Sequence, residues 1–279
     1  MTRLDEQYNN MIMNIKRNGE WDDDYPVRTK YADGTPAYSK SILNQQIVLQ
    51  PEDVPLITTK RVPTKDPIKE ILWITQMKSN NVADLRELGS TIWDSWEKED
   101  STIGNAYGAQ AGKKVLKHGN EYIDQMDKLL CELQNNPKSR RMLTSWWNID
   151  DLDDMALYPC VWSTQWQVWK GKLHLTVNAR SQDVMVGTPY NIFQYGVLHR
   201  MIANVTGYAI GTMTYNIANA HYYDRHETNL VSQLREDTIP DKDITLTVPK
   251  KDSFYDYTYN DIQVEGLKNR PKYRYEVAI

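Results

Sequence analysis

Apolar positions at Leu4, Tyr8, Met11, Ile12 and Ile15 recur at the spacing of a helix face, and Gly19 stands where the last turn must stop. An N-terminal helix is predicted. No period holds between Tyr25 and Thr35, and Asp33-Gly34 supplies turn chemistry, so this stretch reads as a loop leading into a strand, with Arg28 in irregular backbone. Asp66 can cap a second helix that carries Pro67 in its first turn and aligns Ile68, Ile71, Leu72 and Gln76, which sets Glu70 on a mostly apolar helix. Ile123, Met126, Leu130 and Leu133 trace a further helix that ends at Asn135-Asn136-Pro137 and gives Cys131 a core-packing position.

The period changes after Pro159. VWSTQWQVW and KLHLTVNA alternate with period two around Lys170-Gly171-Lys172, which predicts an antiparallel hairpin with Cys160 at the mouth of its first strand. Ile192 to Val205 is apolar nearly all round and stops at Gly207, the pattern of a helix buried in the middle of a fold. Strand character returns at Ile210–Ile217, and a helix with a polar surface is expected from His221. These elements predict an α+β fold in one domain, residues 1–279, with a large, mostly antiparallel twisted sheet, flanking helices and a buried central helix. Internal repeats and the glycine patterns of dinucleotide and P-loop sites are absent from the sequence.

Composition narrows the function classes. A chain of 279 residues can bury a sizeable core, and a net charge of −4 offers no attraction to a nucleic-acid backbone, so polymeric DNA is not the expected partner. No apolar run approaches a membrane span, and the first ten residues lack the apolar core of a signal peptide, so a cytoplasmic location is expected, the host cytoplasm if the chain is phage-encoded. Two cysteines, Cys131 and Cys160, are too few for a disulfide framework and lack zinc spacing, which leaves two free thiols and disfavours metal catalysis. Nine Trp and 18 Tyr against 2 Phe suit sites that stack a ring and hydrogen-bond it, although ordinary cores use the same residues.

Cys160 alone is more simply a small buried hydrophobe than a nucleophile. Its company changes that reading. Pro159-Cys160 is followed by Arg180-Ser181-Gln182-Asp183, then by Gly187-Thr188-Pro189-Tyr190-Asn191 at the entry to the apolar helix, then by His221-Tyr222-Tyr223. In this order and spacing the sequence resembles the thymidylate synthase family, which includes dCMP hydroxymethylases. Thr58-Thr59-Lys60, Lys69-Glu70-Ile71-Leu72-Trp73, Ile92-Trp93-Asp94, Ala106-Tyr107-Gly108, Pro137-Lys138-Ser139-Arg140-Arg141 and the tail Glu276-Val277-Ala278-Ile279 extend the resemblance over nearly the whole chain.

The resemblance implies a reaction. Carbon 5 of uracil is a poor nucleophile, so a thiolate, here that of Cys160, adds first to carbon 6 and turns the ring into an enolate that attacks a one-carbon electrophile. The donor it implies is 5,10-methylenetetrahydrofolate, and the outcome is dTMP and dihydrofolate. Arg180 is the expected charge that brings the thiol toward ionisation, and with Arg28 and Ser181 it is expected to hold the nucleotide phosphate. Arg140 and Arg141 are implied to reach that phosphate from the second subunit of a homodimer. Asn191 meets O4 and N3–H of uracil with one amide. His221 and Tyr223 bind the sugar hydroxyl, Asp183 and Trp93 receive the folate ring, Lys60 meets its glutamate tail, Glu70 and Tyr107 handle protons, and Ile279 closes over the ligands.

Three departures from the family pattern stand out: Ala218-Asn219 where Gly-Asp is usual, Val161 after the cysteine where many members have His, and Tyr190 in place of Phe. Ala218 and Asn219, an added methyl and a lost charge close to the nucleotide site, bear on its fine geometry and not on the family assignment. Two other readings share this fold, a dUMP hydroxymethylase in which water takes the place of hydride, and a nucleotide- or RNA-binding regulator without turnover. Keeping Cys160 with its whole constellation argues against the regulator, and RNA binding itself is not predictable from the sequence.

Overall fold

The computed structural model describes residues 2–114, 116–118, 121–267 and 270–279. In chain order the larger strands are β1 (Glu20–Trp21), β2 (Ser39–Leu49), β3 (Leu116–His118), β4 (Glu121–Ile123), β5 (Leu143–Ser145), β6 (Val161–Trp169) and β7 (Lys172–Ala179). They are followed by β8 (Gln182–Asp183), β9 (Ala209–Tyr223), β10 (Thr245–Thr247) and β11 (Gln263–Glu265). Seven of them form one sheet in the order β1-β2-β9-β7-β6-β5, with β8 on β9, while β3-β4 and β10-β11 are separate ribbons. The sheet is mostly antiparallel. Its parallel pairs are β7 with β9 and β8 with β9.

The helices are α1 (Arg3–Asn18), α2 (Lys65–Leu72), α3 (Val82–Glu87), α4 (Gly108–Gly112), α5 (Gln125–Asn135), α6 (Gly187–Thr206) and α7 (Glu227–Gln233). Thr2 caps α1 by accepting from the Asp5 amide at 2.8 Å, and Leu4, Tyr8, Met11, Ile12 and Ile15 are all buried. Helix α6 is buried on every side, through Ile192, Phe193, Tyr195, Val197, Leu198, Met201 and Ile202, so it carries no polar face because none of its faces meets water. It covers one face of the sheet, the one to which Leu173, Leu175 and Val177 of β7 and Met213, Tyr215 and Ile217 of β9 point. Burying side chains of this size contributes about 1.5–3 kcal/mol each. The hairpin β6–β7 closes on Lys170 and Gly171 at φ 48° and 73°, both left-handed, the pair of conformations that a two-residue turn needs to match strand twist.

Four expectations need correction. Thr64, not Asp66, precedes α2, and it makes no side-chain cap bond; Asp66 lies inside the first turn. After Leu72 that helix widens into a π-turn, Trp73–Met77, which moves Gln76 off the α-helical stripe. Ile123 belongs to β4 rather than to the following helix, which Asp124 caps and which buries Leu129 where Leu130 was expected; Cys131 is only partly buried. Most consequential, no helix starts at His221. Strand β9 runs on to Tyr223 because β2 pairs with it all the way, Ser41 opposite His221 and Ser39 opposite Tyr223. A short 3-10 turn, Asp224–His226, then leads into α7.

Candidate active site

The hairpin register brings the reactive pair together. Val161 lies opposite Ala179, so the next residues outward, Cys160 and Arg180, face each other at the strand ends, and the Arg180 amide donates to the Cys160 carbonyl at 2.9 Å. The adjacent β8 sets Asp183 opposite His221. Helix α6 starts beside these strand ends, which places Tyr190 and Asn191 in its first turns. One cleft of roughly 400 Å³ results, lined by Arg28, Glu70, Trp93, Tyr107, Cys160, Arg180, Ser181, Asp183, Asn191, His221, Tyr223 and Ile279. Twelve residues scattered from position 28 to position 279 therefore share one hollow.

Cys160 is partly exposed there, and its amide donates to the Tyr107 hydroxyl at 3.1 Å. Tyr107 is held at φ 41°, a conformation that costs of order 1–3 kcal/mol outside glycine and persists only where the surroundings enforce it. Gly108 follows it because a Cβ there would lie 1.8 Å from the Ser79 carbonyl oxygen. Burial pushes the Cys160 thiol up and Asp183 adds to this, while Arg180 acts in the expected direction and lowers it without overcoming burial in the ligand-free protein. Geometry gives the reason. The Arg180 guanidinium donates to the carbonyls of Pro159 at 3.0 Å and Tyr158 at 2.9 Å and lies 5.7 Å from the centre of the Trp147 ring.

Glu70 is the acceptor at the centre of a buried polar chain. Trp93 donates its indole N–H to one carboxylate oxygen at 2.5 Å and Gln194 donates to the other, while Gln194 accepts from Asn191 at 3.0 Å. Asn191 accepts in turn from Gln182 at 3.0 Å, and Gln182 from Tyr215 at 2.7 Å. Burial drives the Glu70 carboxyl up to about 7 against the lowering effect of these donors. The two glutamines fix which end of the Asn191 amide is oxygen, and each end keeps one further hydrogen-bonding site, enough for a ring presenting an acceptor beside an N–H donor. Sequence reasoning missed both glutamines. A lone Gln in an otherwise apolar helix, three residues after Asn191 and so on the same face, was the available signal for Gln194.

His221 Nδ1 lies 2.9 Å from Asn219 Oδ1, and burial holds the imidazole below its ordinary value, so it is neutral at pH 7 with Nε2 left for a ligand. Asn219 thus supplies a neutral acceptor where the family's usual Asp would favour an imidazolium. Ala218 is exposed and alternates to the opposite side of β9, so its extra methyl stays out of the cleft, contrary to expectation. Asp183 accepts from the amides of Met185 at 2.8 Å and Val186 at 3.3 Å, which fixes its carboxylate at the cleft wall. Trp96, at 5.5 Å from Trp93 and also lining the cleft, was not singled out in the sequence.

Three expected residues stand outside this hollow. Lys60 is buried rather than solvated, donates to the Met185 carbonyl and sits 4.8 Å from the Tyr275 ring centre; it lines a neighbouring groove of roughly 560 Å³ with Arg61, Arg274 and Tyr190. Desolvation there brings its ammonium down to about 8. Arg140 and Arg141 are exposed, and Arg140 shares a separate hollow with Gln167, Trp169 and His174 near the β6–β7 turn. That turn lies eight strand steps, ~26 Å at 3.3 Å per residue, from the end of β6 that carries Cys160.

Comparison with known proteins bears on the whole chain. The profile of one family, thymidylate synthase, matches residues 6–279. The chain is 49% identical over 280 residues to thymidylate synthase 1 of Bacillus subtilis strain 168, and 48% identical to the thymidylate synthase of Bacillus phage phi3T, in both cases over 100% of each chain. Its fold superposes on the solved structure of the thermostable thymidylate synthase A from Bacillus subtilis with a TM-score of 0.95, at 48% identity and 99% coverage of both chains. With relatives of this name matching end to end, the hydroxymethylase reading is not favoured. The chain is a member of the thymidylate synthase family.

Proposed function

We propose that this enzyme methylates dUMP to dTMP with 5,10-methylenetetrahydrofolate, releasing dihydrofolate, and that residues 1–279 act as one catalytic domain. The observation that carries the reading is the meeting of Cys160 with Arg180, Tyr107, Asn191 and the Glu70 chain around one cleft. Cys160 adds as thiolate to carbon 6 of the uracil. Nucleotide binding assists this step: the phosphate draws Arg28, Arg180 and Ser181 together, and the ring brings carbon 6 to the sulfur. Asn191 holds O4 and N3–H through its two remaining hydrogen-bonding sites, while His221 Nε2 and the Tyr223 hydroxyl hold the sugar hydroxyl. Glu70 exchanges a proton with ordered water near the pyrimidine carbonyl, and the Tyr107 hydroxyl assists loss of the carbon 5 proton, a role supported by its hydrogen bond from the Cys160 amide.

The cleft walls fit a reduced folate. Trp93 and Trp96 offer flat apolar surface, Asp183 a fixed acceptor for ring N–H groups, and the neighbouring Lys60, Arg61 and Arg274 offer charge to an anionic tail. Folate supplies the one-carbon unit and the hydride. The chain's part is to exclude water, through Val277, Ala278 and Ile279 at the rim. The test is direct: purified protein given dUMP and methylenetetrahydrofolate is expected to raise the dihydrofolate absorbance, with a product heavier than dUMP by one CH2, a methyl group in place of the carbon 5 hydrogen. A hydroxymethyl product without dihydrofolate would contradict the reading, and comparable turnover of dCMP would contradict the role given to Asn191.

The homodimer belongs to the same proposal. Its support is the sheet face opposite α6, where Gln46, Asn216, Asn178 and Ser163 form a hydrogen-bonded row across four strands, with Trp162 and Trp169 exposed along β6. A partner on that face would receive Arg140 and Arg141, which stand too far from their own Cys160. If so, Cys160→Ala and Arg140→Ala/Arg141→Ala proteins, each inactive or nearly so, regain up to about a quarter of wild-type activity when subunits are exchanged, the share expected of one intact site in a randomly mixed population. A mixture that stays as inactive as its parts, with exchange verified by mass, would contradict arginines acting across subunits.

A further inference from the structure

Arg225 has no part in the chemistry above, yet it joins the two segments that border the cleft on its outer side. Its guanidinium donates to Glu276 Oε2 in the C-terminal tail at 2.9 Å, and to Asp33 Oδ2 at 2.8 Å and Thr35 Oγ1 at 2.6 Å in the turn after Arg28. It lies 3.9 Å from the centre of the buried Tyr31 ring, and Tyr31 donates its hydroxyl to Asp224. The tail and the turn also pair directly: Lys30 donates its amide to the Ile279 carbonyl and Ile279 donates back to Lys30, each at 2.9 Å. Next to Arg225, the His226 ring holds the Glu276 carbonyl at 2.8 Å. Both segments reach the cleft, the turn through Arg28 and Thr29, the tail through Val277, Ala278 and Ile279.

We propose that Arg225 is a positioning residue that clasps the tail to the Arg28 loop, so that ordering of the phosphate-binding loop and docking of the tail over the cleft occur as one event. A planar guanidinium suits this because its fork presents separate N–H groups to two carboxylates at once. Each ion pair is partly exposed, so neither is strong singly. Their effect lies in coupling: a nucleotide that orders Arg28 steadies Asp33, hence Arg225, hence Glu276, before the second substrate arrives. The dUMP arm of the test rests on the function proposed above; the ligand-free arm does not.

Hydrogen exchange of the full-length protein, read by mass spectrometry on peptides spanning the Lys30–Thr35 turn and the Tyr275–Ile279 tail, tests it. In ligand-free Arg225→Ala both peptides are expected to exchange about tenfold faster together, at an unchanged thermal midpoint, while Glu276→Gln releases the tail alone and Asp33→Asn the turn alone. The charge exchange Arg225→Glu/Glu276→Arg is expected to restore protection of the tail. In the wild type, dUMP slows exchange in both peptides; in Arg225→Ala it slows only the turn, and KM for methylenetetrahydrofolate rises about tenfold with a smaller change in kcat. Tail exchange unaltered by Arg225→Ala, or a tail that still responds fully to dUMP in that variant, would overturn the clasp.

Discussion

Cys160→Ala is expected to remove dTMP formation, by at least about 10⁴-fold in kcat, while leaving nucleotide binding within a few fold of the wild type. The size of the loss follows from the chemistry. Without a covalent bond at carbon 6, carbon 5 of uracil never becomes nucleophilic, and none of the neighbouring groups is a substitute nucleophile, since the roles proposed for Tyr107 and Arg180 concern protons and charge. Binding is expected to survive because, in the proposed complex, the phosphate, sugar and ring edge are held by Arg28, Ser181, Asn191, His221 and Tyr223, none of which depends on the sulfur. The fold survives as well, since a partly exposed thiol at a strand end contributes little to the core. Separate measurement of dUMP affinity by calorimetry and of turnover by dihydrofolate absorbance checks both halves. Loss of binding along with turnover would mean that the cysteine holds the site's shape and not its reaction.

Glu70→Gln is the second large effect, a fall of about 10²–10⁴-fold in kcat. Both of its neighbours, Trp93 Nε1 and Gln194 Nε2, are donors, so an amide in place of the carboxylate puts an N–H against an N–H and breaks the chain that orients Asn191. The same pair of donors gives the pH dependence its sign. They stabilise the carboxylate, burial opposes it, and the group titrates at about 7. Above that value the carboxylate accepts from both; as pH falls through it, protonation cancels one acceptor and kcat declines. Wild-type kcat is therefore expected to show an acid limb near neutrality that Glu70→Gln lacks. An identical limb in the variant would assign that ionisation to another group.

Much of this architecture was legible because period and punctuation agreed. The β6–β7 hairpin showed a clean period of two on either side of Lys170-Gly171, and the unbroken apolarity of α6 could only describe a helix with no wet face. Misreadings fell where tertiary pairing overrides local preference. Ala218-Asn219-Ala220 has poor strand propensity, yet β2 and β8 pair with this part of β9 and carry the strand to Tyr223. The π-turn after Leu72 leaves no mark in hydrophobic spacing.

The site divides along a different line. Residue types and spacing singled out Cys160 only weakly, and its partners came from the likeness to a family; what neither could supply was the environment. The buried amide chain from Tyr215 to Glu70 needs residues 145 positions apart in sequence to meet, the burial of Lys60 depends on the tail's Tyr275, and the raised thiol depends on burial that Arg180, itself turned to the Pro159 and Tyr158 carbonyls, does not overcome. Each is set by contacts between distant segments, which a linear pattern does not record.

The central claim is a carbon–sulfur bond between Cys160 and carbon 6 of the nucleotide. 5-Fluoro-dUMP tests it, because fluorine at carbon 5 cannot leave as the proton does and the covalent state accumulates. After incubation with this nucleotide and methylenetetrahydrofolate, proteolysis and mass spectrometry are expected to find the added mass on the peptide containing Cys160 and none on the peptide containing Cys131. Unmodified Cys160 in protein that turns over dUMP, or label confined to Cys131, would contradict the account.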